Sequence, residues 1–351
     1  MLNPLSKKYH FDEIQIVPQP TEIASRKDVN VEISYITKHS KRKISGCPVI
    51  VANLDTTGTV AMAMALAPYK MFVAIHKYLD LDVIGKHFTE HEDDIIADYS
   101  FFTIGLNNTT QSALINSKHR ISPKYILIDV ANGYSYKFLD FIKKIRDLHP
   151  NSVLAAGNVC TPEGVENVIK AGADMVKCGI ANGSVCDTKN KAGVGYPQFS
   201  VAYECGQAAN ELNALCISDG GVRTPADICK ALAAGSHFVM CGGLFAGYDE
   251  CEGEWEYYED WNMRYGQEKQ VERHEKKRLK VYGMSSKTAN DKYNGGLKEY
   301  RSSEGKETWV PYKGKVEELA KDIRGSLASC CSYCNTSNLE NLYKNAKFVL
   351  C

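Results

Sequence analysis

A thiol and a hydroxyl stand two residues apart at Cys186 and Thr188, within the stretch MVKCGIANGSVCDTKNKAGVGYPQ, Met175 to Gln198. The stretch opens as a short apolar run, Met175 to Ile180, of the kind that forms a buried strand. It then turns rich in Gly, Asn and Ser. A loop that leaves a buried strand and holds a nucleophile is a candidate catalytic loop. Cys178, Cys216 and Cys241 lie inside apolar runs and read as small buried residues. Cys186 instead lies among residues that let the backbone approach a ligand. On local sequence alone, a nucleophilic Cys186 and an inert loop cysteine are evenly matched. No His occupies the loop, so a thiolate there needs a helix N-terminus, a bound cation or a distant base. Glu304, in a Gly/Ser-rich segment, could do that proton work. By itself it reads as an exposed loop carboxylate.

The elements that must position these groups begin at Pro48. Eight apolar runs follow: PVIVAN, MFVAIH, FFTIGL, YILIDVAN, SVLAAGNV, MVKCGI, ALCISDGG and HFVMCGG. Each is short and β-prone. Helical patterns lie between several of them. Thr57 to Pro68 is rich in Ala and Met, and Ser135 to Leu148 spaces Phe138, Phe141, Ile142 and Ile145 along one face. Thr161-Pro162 and Thr224-Pro225 each read as an N-cap followed by Pro in the first turn. About eight strand–helix units predict an α/β fold of the (β/α)8 TIM-barrel class, with near-continuous apolar strands as a covered parallel sheet requires. An open doubly wound sheet is the other reading, but no G-x-G-x-x-G follows the first strand. The segments VIKAGADMVKCGI and ALAAGSHFVMCGG also echo each other, which favours the barrel.

In a barrel the chemistry gathers at the C-terminal strand ends. Those ends carry Asn53-Leu54-Asp55, His76-Lys77, Asp129 to Asn132, Gly157-Asn158, the Cys186 loop, Ser218 to Gly221, and Gly242-Gly243. The last two follow the seventh and eighth runs, where barrels commonly bind phosphate. Gly220-Gly221 and Gly242-Gly243 would let backbone N–H groups meet an anion. Tight turns without a ligand are the alternative.

The rest of the sequence sets bounds. The 351 residues contain 42 acidic and 42 basic side chains, so nothing points to nucleic acid or a membrane surface as partner. No apolar run is long enough to span a bilayer, and the N-terminus lacks the apolar core of a signal peptide. The 13 scattered cysteines read as reduced thiols of a cytoplasmic protein. The lone Cys331-x-x-Cys334, with Cys330 beside it, lacks the second pair of a zinc site. We read 1–351 as one catalytic barrel domain with an N-terminal extension (1–45), a lid-like excursion after strand eight (249–281) and a C-terminal tail (328–351). The excursion predicts a mobile hairpin or lid, with an inert surface hairpin nearly as good a reading. VYGMSS and EYRSSEGKETWVPYKG read as Gly/Ser-rich loops that could close over a polar ligand, and Val316 to Leu327 as the final helix. Ser25-Arg26 in the extension reads as an exposed pair before a phosphate contact.

The stretches SVCDTKNKAGVGYPQ, DVANGYS, AAGNV, SDGG, VMCGGLFAG, YGMSS and YRSSEGK together resemble the inosine-monophosphate dehydrogenase / GMP reductase family, in order along nearly the whole chain. Within it they resemble the reductase branch. Ala74 to Ile128 leaves no room for the dehydrogenases' paired cystathionine-β-synthase-type modules. GVGYPQ with Tyr196 looks like the reductase loop, and the dehydrogenase's Arg-Tyr flap pair is not evident.

The resemblance implies NADPH-dependent reductive deamination of GMP to IMP with release of ammonia. Cys186 would attack C2 of the guanine to form a thioimidate, assisted by Thr188 and Glu304. Ser184, Asp219, Gly220, Gly221, Gly242 and Gly243 would hold the nucleotide's ribose and phosphate side. Gly283, Met284, Ser285, Arg301, Ser302, Ser303 and Gly305 would surround the base. Ser25, Arg26, Lys77, Asp129, Val130, Ala131, Ile180, Ala181, Ser329, Cys330, Cys331 and Ser332 match the family's cofactor positions. The backbone carbonyls of Ala181, Gly183, Cys186 and Lys189 match its monovalent-cation (K+) loop, and a homotetramer is implied. The family's Gly-Pro-Gly-Ser is replaced here by Ala181-Asn182-Gly183-Ser184, and Lys189 stands where Arg is common. A module-less IMP dehydrogenase and an inactive nucleotide-binding homologue are the competing readings.

Overall fold

Eight apolar strands pair in parallel and close on themselves. They are Lys43–Val51 (β1), Met71–Ile75 (β2), Ser100–Ile104 (β3), Tyr125–Asp129 (β4), Val153–Val159 (β5), Met175–Cys178 (β6), Leu215–Asp219 (β7) and Phe238–Cys241 (β8). β8 pairs with both β7 and β1, and the Val239–Val49 register closes the ring. The computed structural model describes residues 6–79, 96–106, 123–258, 275–300 and 302–351. Each of the eight runs predicted from sequence forms one of these strands, and the architecture is the (β/α)8 barrel.

The helices start where the caps dictate. Val60–Leu66 (α1) is capped by Thr59, Tyr136–Leu148 (α2) by Ser135 and Pro162–Lys170 (α3) by Thr161. Gln198–Glu211 (α4) follows Pro197. Pro225–Ala233 (α5) begins with a capping box between Thr224 and Asp227. The predicted face Phe138, Phe141, Ile142 and Ile145 is the buried face of α2. The final helix, Val316–Tyr333, extends beyond the predicted Leu327 because Leu327 and Cys331 continue its buried stripe and no breaker intervenes.

Four rings fill the N-terminal end of the barrel. Phe72, Phe101, Tyr125 and Phe238 occupy the first or second positions of their strands and are almost fully buried. Phe72 meets the other three at centroid distances of 5.6–6.1 Å. Burying each such ring contributes roughly 1.5–3 kcal/mol, so this end is a packed floor and the opposite end is free for a ligand.

The N-terminal extension is stitched to the barrel. Ile33–Ile36 pairs antiparallel with the first half of β1, and Ile14–Ile16 pairs with Phe348–Leu350. The excursion after β8 pairs antiparallel as a hairpin would and gains a third strand. Trp255–Tyr257 (β9), Lys276–Tyr282 (β10) and Glu307–Pro311 (β11) form an antiparallel sheet, with β10 in the centre. Residues 259–274 of that excursion lie outside the described residues. β11 falls in a segment whose sequence reads as loop, because its Thr308-Trp309-Val310 core is outweighed by the flanking Gly and Ser. Lys287–Tyr293 (α6) joins the sheet's second and third strands, capped by Ser286. No helix among the described residues is long and apolar enough to cross a membrane. All 13 cysteines are free thiols.

Candidate active site

A cavity of about 780 Å³ opens at the C-terminal ends of the strands. Cys186 stands on its wall, half-buried. Its Sγ lies 3.3 Å from Thr188 Oγ1, and Thr188 donates from that hydroxyl to Glu304 Oε2 at 2.8 Å. Main-chain bonds fix the third member from far along the sequence. Asp187 N donates to Glu304 O at 2.7 Å, and Lys306 N donates to Val185 O at 2.8 Å. Glu304 is therefore a positioned carboxylate, contrary to its reading as a loose loop residue.

The loop's path depends on close backbone contacts. Gly179 ends its strand against β7, where an added Cβ would lie 1.9 Å from Asp219 O. Ala181 adopts the left-handed conformation with φ +71°. Asn182 pins the turn by donating from Nδ2 to Tyr196 O at 2.6 Å and Gln198 Oε1 at 2.7 Å, while its own carbonyl accepts from Gly221 N at 2.9 Å. This ties the cysteine loop to the glycines predicted to hold phosphate. Gly220 and Gly221, at φ +99° and +75°, line the same cavity as Gly242, Gly243 and Ser184.

Below them lies a buried charge network. Lys177 Nζ contacts Asp219 Oδ2 at 2.7 Å and Asp129 Oδ1 at 2.9 Å, and Lys77 stands 3.8 Å from Asp129. Burial works to raise the Asp129 carboxyl, but the Lys177 and Lys77 ammonium groups outweigh it and lower its pKa to about 2. Burial likewise opposes the charged form of Lys177, yet Asp129 and Asp219 raise its pKa above the ordinary lysine value. Asn158 Nδ2 adds a donor to Asp219 at 2.8 Å. Both carboxylates line the cavity and are held there by Lys177.

Most positions singled out in the sequence converge here. Gly283, Met284, Ser285, Ser302 and Gly305 line the cavity, with Gly305 bridged to Cys186, and so do Lys77, Asp129, Val130, Ala131, Ile180 and Ala181. Ser303 does not line it. Its hydroxyl accepts from Lys287 N at 3.1 Å and donates to Gly305 O at 3.3 Å, bracing the loop. Lys189 is exposed on the helical turn after Cys186, and Arg301 lies outside the described residues.

Six of the cofactor positions are elsewhere. Ser25 caps a 3-10 turn that starts at Arg26 and packs on the helix Val316–Tyr333, which carries Ser329, Cys330, Cys331 and Ser332. Cys331 is fully buried in the core, so its thiol faces no ligand. Sequence reasoning missed the roles of Lys177, Asn158, Asn182 and Gln198. A lone Lys inside the apolar run MVKCGI was the available signal, because a buried ammonium must be paired.

The family model for the IMP dehydrogenase / GMP reductase domain matches residues 8–351. GMP reductase 1 of Rattus norvegicus is 41% identical over 97% of this chain and 94% of its own length. The GMP reductases of Caenorhabditis elegans and Yersinia enterocolitica are each 40% identical over 97% of this chain, covering 91% and 94% of their own lengths.

Proposed function

Since the chain belongs to the IMP dehydrogenase / GMP reductase family, we propose that it is a GMP reductase: GMP + NADPH + 2 H+ → IMP + NH4+ + NADP+. The observation that carries this reading is the Thr188 hydroxyl, which stands between the Cys186 thiol and the Glu304 carboxylate. Cys186 Sγ forms a bond to C2 of the guanine. Glu304, through Thr188, delivers the proton with which the 2-amino group leaves as ammonia. The purine is left as a thioimidate on Cys186. A bound nicotinamide nucleotide would supply the hydride for C2, and breaking of the C–S bond would return the Cys186 thiolate. A covalent route suits the reaction, because the amine must depart before hydride can replace it.

Asp219 is suited to a ribose diol, and the Gly220-Gly221 and Gly242-Gly243 backbones with Ser184 to a phosphate. The residues fit a nicotinamide nucleotide: Lys77, Asp129 and Ala131 line the same cavity as Cys186, leaving room for two ligands. Ser25, Arg26 and Ser329 to Ser332 do not line it. On this reading Ser25, Arg26, Ser329, Cys330 and Ser332 complete the cavity of a neighbouring copy in a homotetramer, while Cys331 stays in the core. Ala181 keeps the left-handed backbone that a glycine would take, so the carbonyls of Ala181, Gly183, Cys186 and Lys189 remain fit to hold K+. Free thiols throughout suit a cytoplasmic protein.

NADPH absorbance with purified protein and GMP tests the reading beside the Cys186→Ala variant. Turnover with ammonia release, lost in the variant, is expected. NADH formation from IMP and NAD+ without GMP turnover would assign the chain to the dehydrogenase branch. Exchange of KCl for choline chloride reads the cation, and light scattering on the eluting protein reads the assembly.

A further inference from the structure

Asp55 follows β1 at the barrel mouth but does not line the cavity. Its side chain is 2% exposed. One oxygen, Oδ2, accepts from Tyr282 Oη at 2.6 Å, Tyr293 Oη at 2.7 Å and Lys292 Nζ at 3.1 Å. The other, Oδ1, is buried without a hydrogen-bond partner among the described residues. Tyr282 ends β10, and Lys292 and Tyr293 end α6. One carboxylate oxygen therefore grips both ends of a single segment that crosses the barrel mouth. Tyr293 also stacks on Tyr78 from the end of β2, with centroids 3.8 Å apart and planes at 11°.

What lies between the two gripped ends matters. Gly283, Met284 and Ser285 line the cavity. Gly283 N donates to Lys306 O at 3.1 Å. Gly305 packs so closely on Ser286 that an added Cβ would lie 2.6 Å from Ser286 N. Movement of the segment would thus carry the strand that presents Glu304. A buried carboxylate with one unpaired oxygen costs stability, and its three donors lie on one segment, as a docking point requires.

We propose that Asp55 is a positioning residue: it docks the Tyr282–Tyr293 segment on the barrel and so holds Glu304 and the Gly283–Ser285 wall against Cys186. Its kinetic readout rests on the reductase reading, but the docking itself does not.

The test uses the full chain with Tyr282→Phe/Tyr293→Phe, which keeps both rings and removes two donors, and with Asp55→Asn. The first readout is the rate at which iodoacetamide alkylates Cys186, followed by peptide mass spectrometry. At least a fivefold rise is expected in both variants. The second is GMP turnover, where KM should rise tenfold or more. Combining the substitutions should cost less than the product of the separate losses. Alkylation unchanged within twofold overturns the proposal, as do losses that multiply. If Asp55→Asn does not fold, the tyrosine variant decides. A wild type that ignores GMP sinks the reductase reading, and the alkylation rates then decide docking by themselves.

Discussion

The Lys177 ammonium sits 2.7 Å from Asp219 Oδ2, and Asp129 shares that cation from the opposite side. One buried charge orients the carboxylate on the proposed nucleotide side and the one on the proposed cofactor side. Lys177→Met should leave the two carboxylates with only Lys77, 3.8 Å from Asp129, as a counter-ion. A loss of about 3–5 kcal/mol in unfolding free energy is expected from breaking a buried pair. Denaturant titration measures it, and calorimetry should find GMP binding weakened as well.

The same network sets a pH response. Asp129 has a folded pKa below its unfolded value, so its contribution is present above about pH 4 and is lost as pH falls toward about 2. Lys177 has a raised folded pKa, so its contribution is present below about pH 10 and is lost only above that. A melting-temperature series should therefore show no response from this pair between pH 5 and 9. In Lys177→Met the Asp129 carboxyl loses the main cation that holds its pKa down, so its share of the acid-side decline should shrink or vanish.

Thr188→Val keeps the shape and removes the hydroxyl between thiol and carboxylate. GMP turnover should fall by about 10²-fold or more, the scale of positioned acid–base help, while GMP affinity changes little. Glu304→Gln should fall comparably. Single-turnover measurement would locate the loss in amine departure. A drop in affinity with kcat intact would count against the relay.

Gly179→Ala tests the strand end that sets the cysteine loop. The new methyl would lie 1.9 Å from Asp219 O, so β6 and β7 must separate. Overpacking of this kind costs about 1–3 kcal/mol. Loss of GMP binding with soluble, folded protein is expected, and an unaffected dissociation constant would show that the loop tolerates displacement.

Sequence makes much of the scaffold legible. The eight apolar runs, the spaced face of Ser135 to Leu148 and the caps at Thr161 and Thr224 report local physics, so β1 to β8 and the helices at those places follow from them. Cys186 is visible as a thiol out of place in a polar loop. Glu304 is not legible from its own neighbourhood, because its position is set by bonds to Asp187 and by the β10–β11 pairing. Asp55 shows in the sequence only as a polar strand end, since its donors come from Tyr282 and Tyr293, distant along the chain. Pairing across long separations leaves no periodic trace in either partner. The β11 strand is hidden for a related reason: central β10 supplies the register that its flanking loop residues conceal.

The barrel's seam bears on how the chain is made. β1 closes onto β8, which follows it by most of the barrel sequence. During synthesis β1 leaves the ribosome long before its partner exists, with an edge of unpaired N–H and C=O groups. Such edges recruit other chains. The early strand Ile33–Ile36 occupies that edge along Lys43 to Gly46, leaving the stretch that β8 later claims at Val49 to Val51. The N-terminal strand thus shortens the edge that stays open until β8 pairs with it.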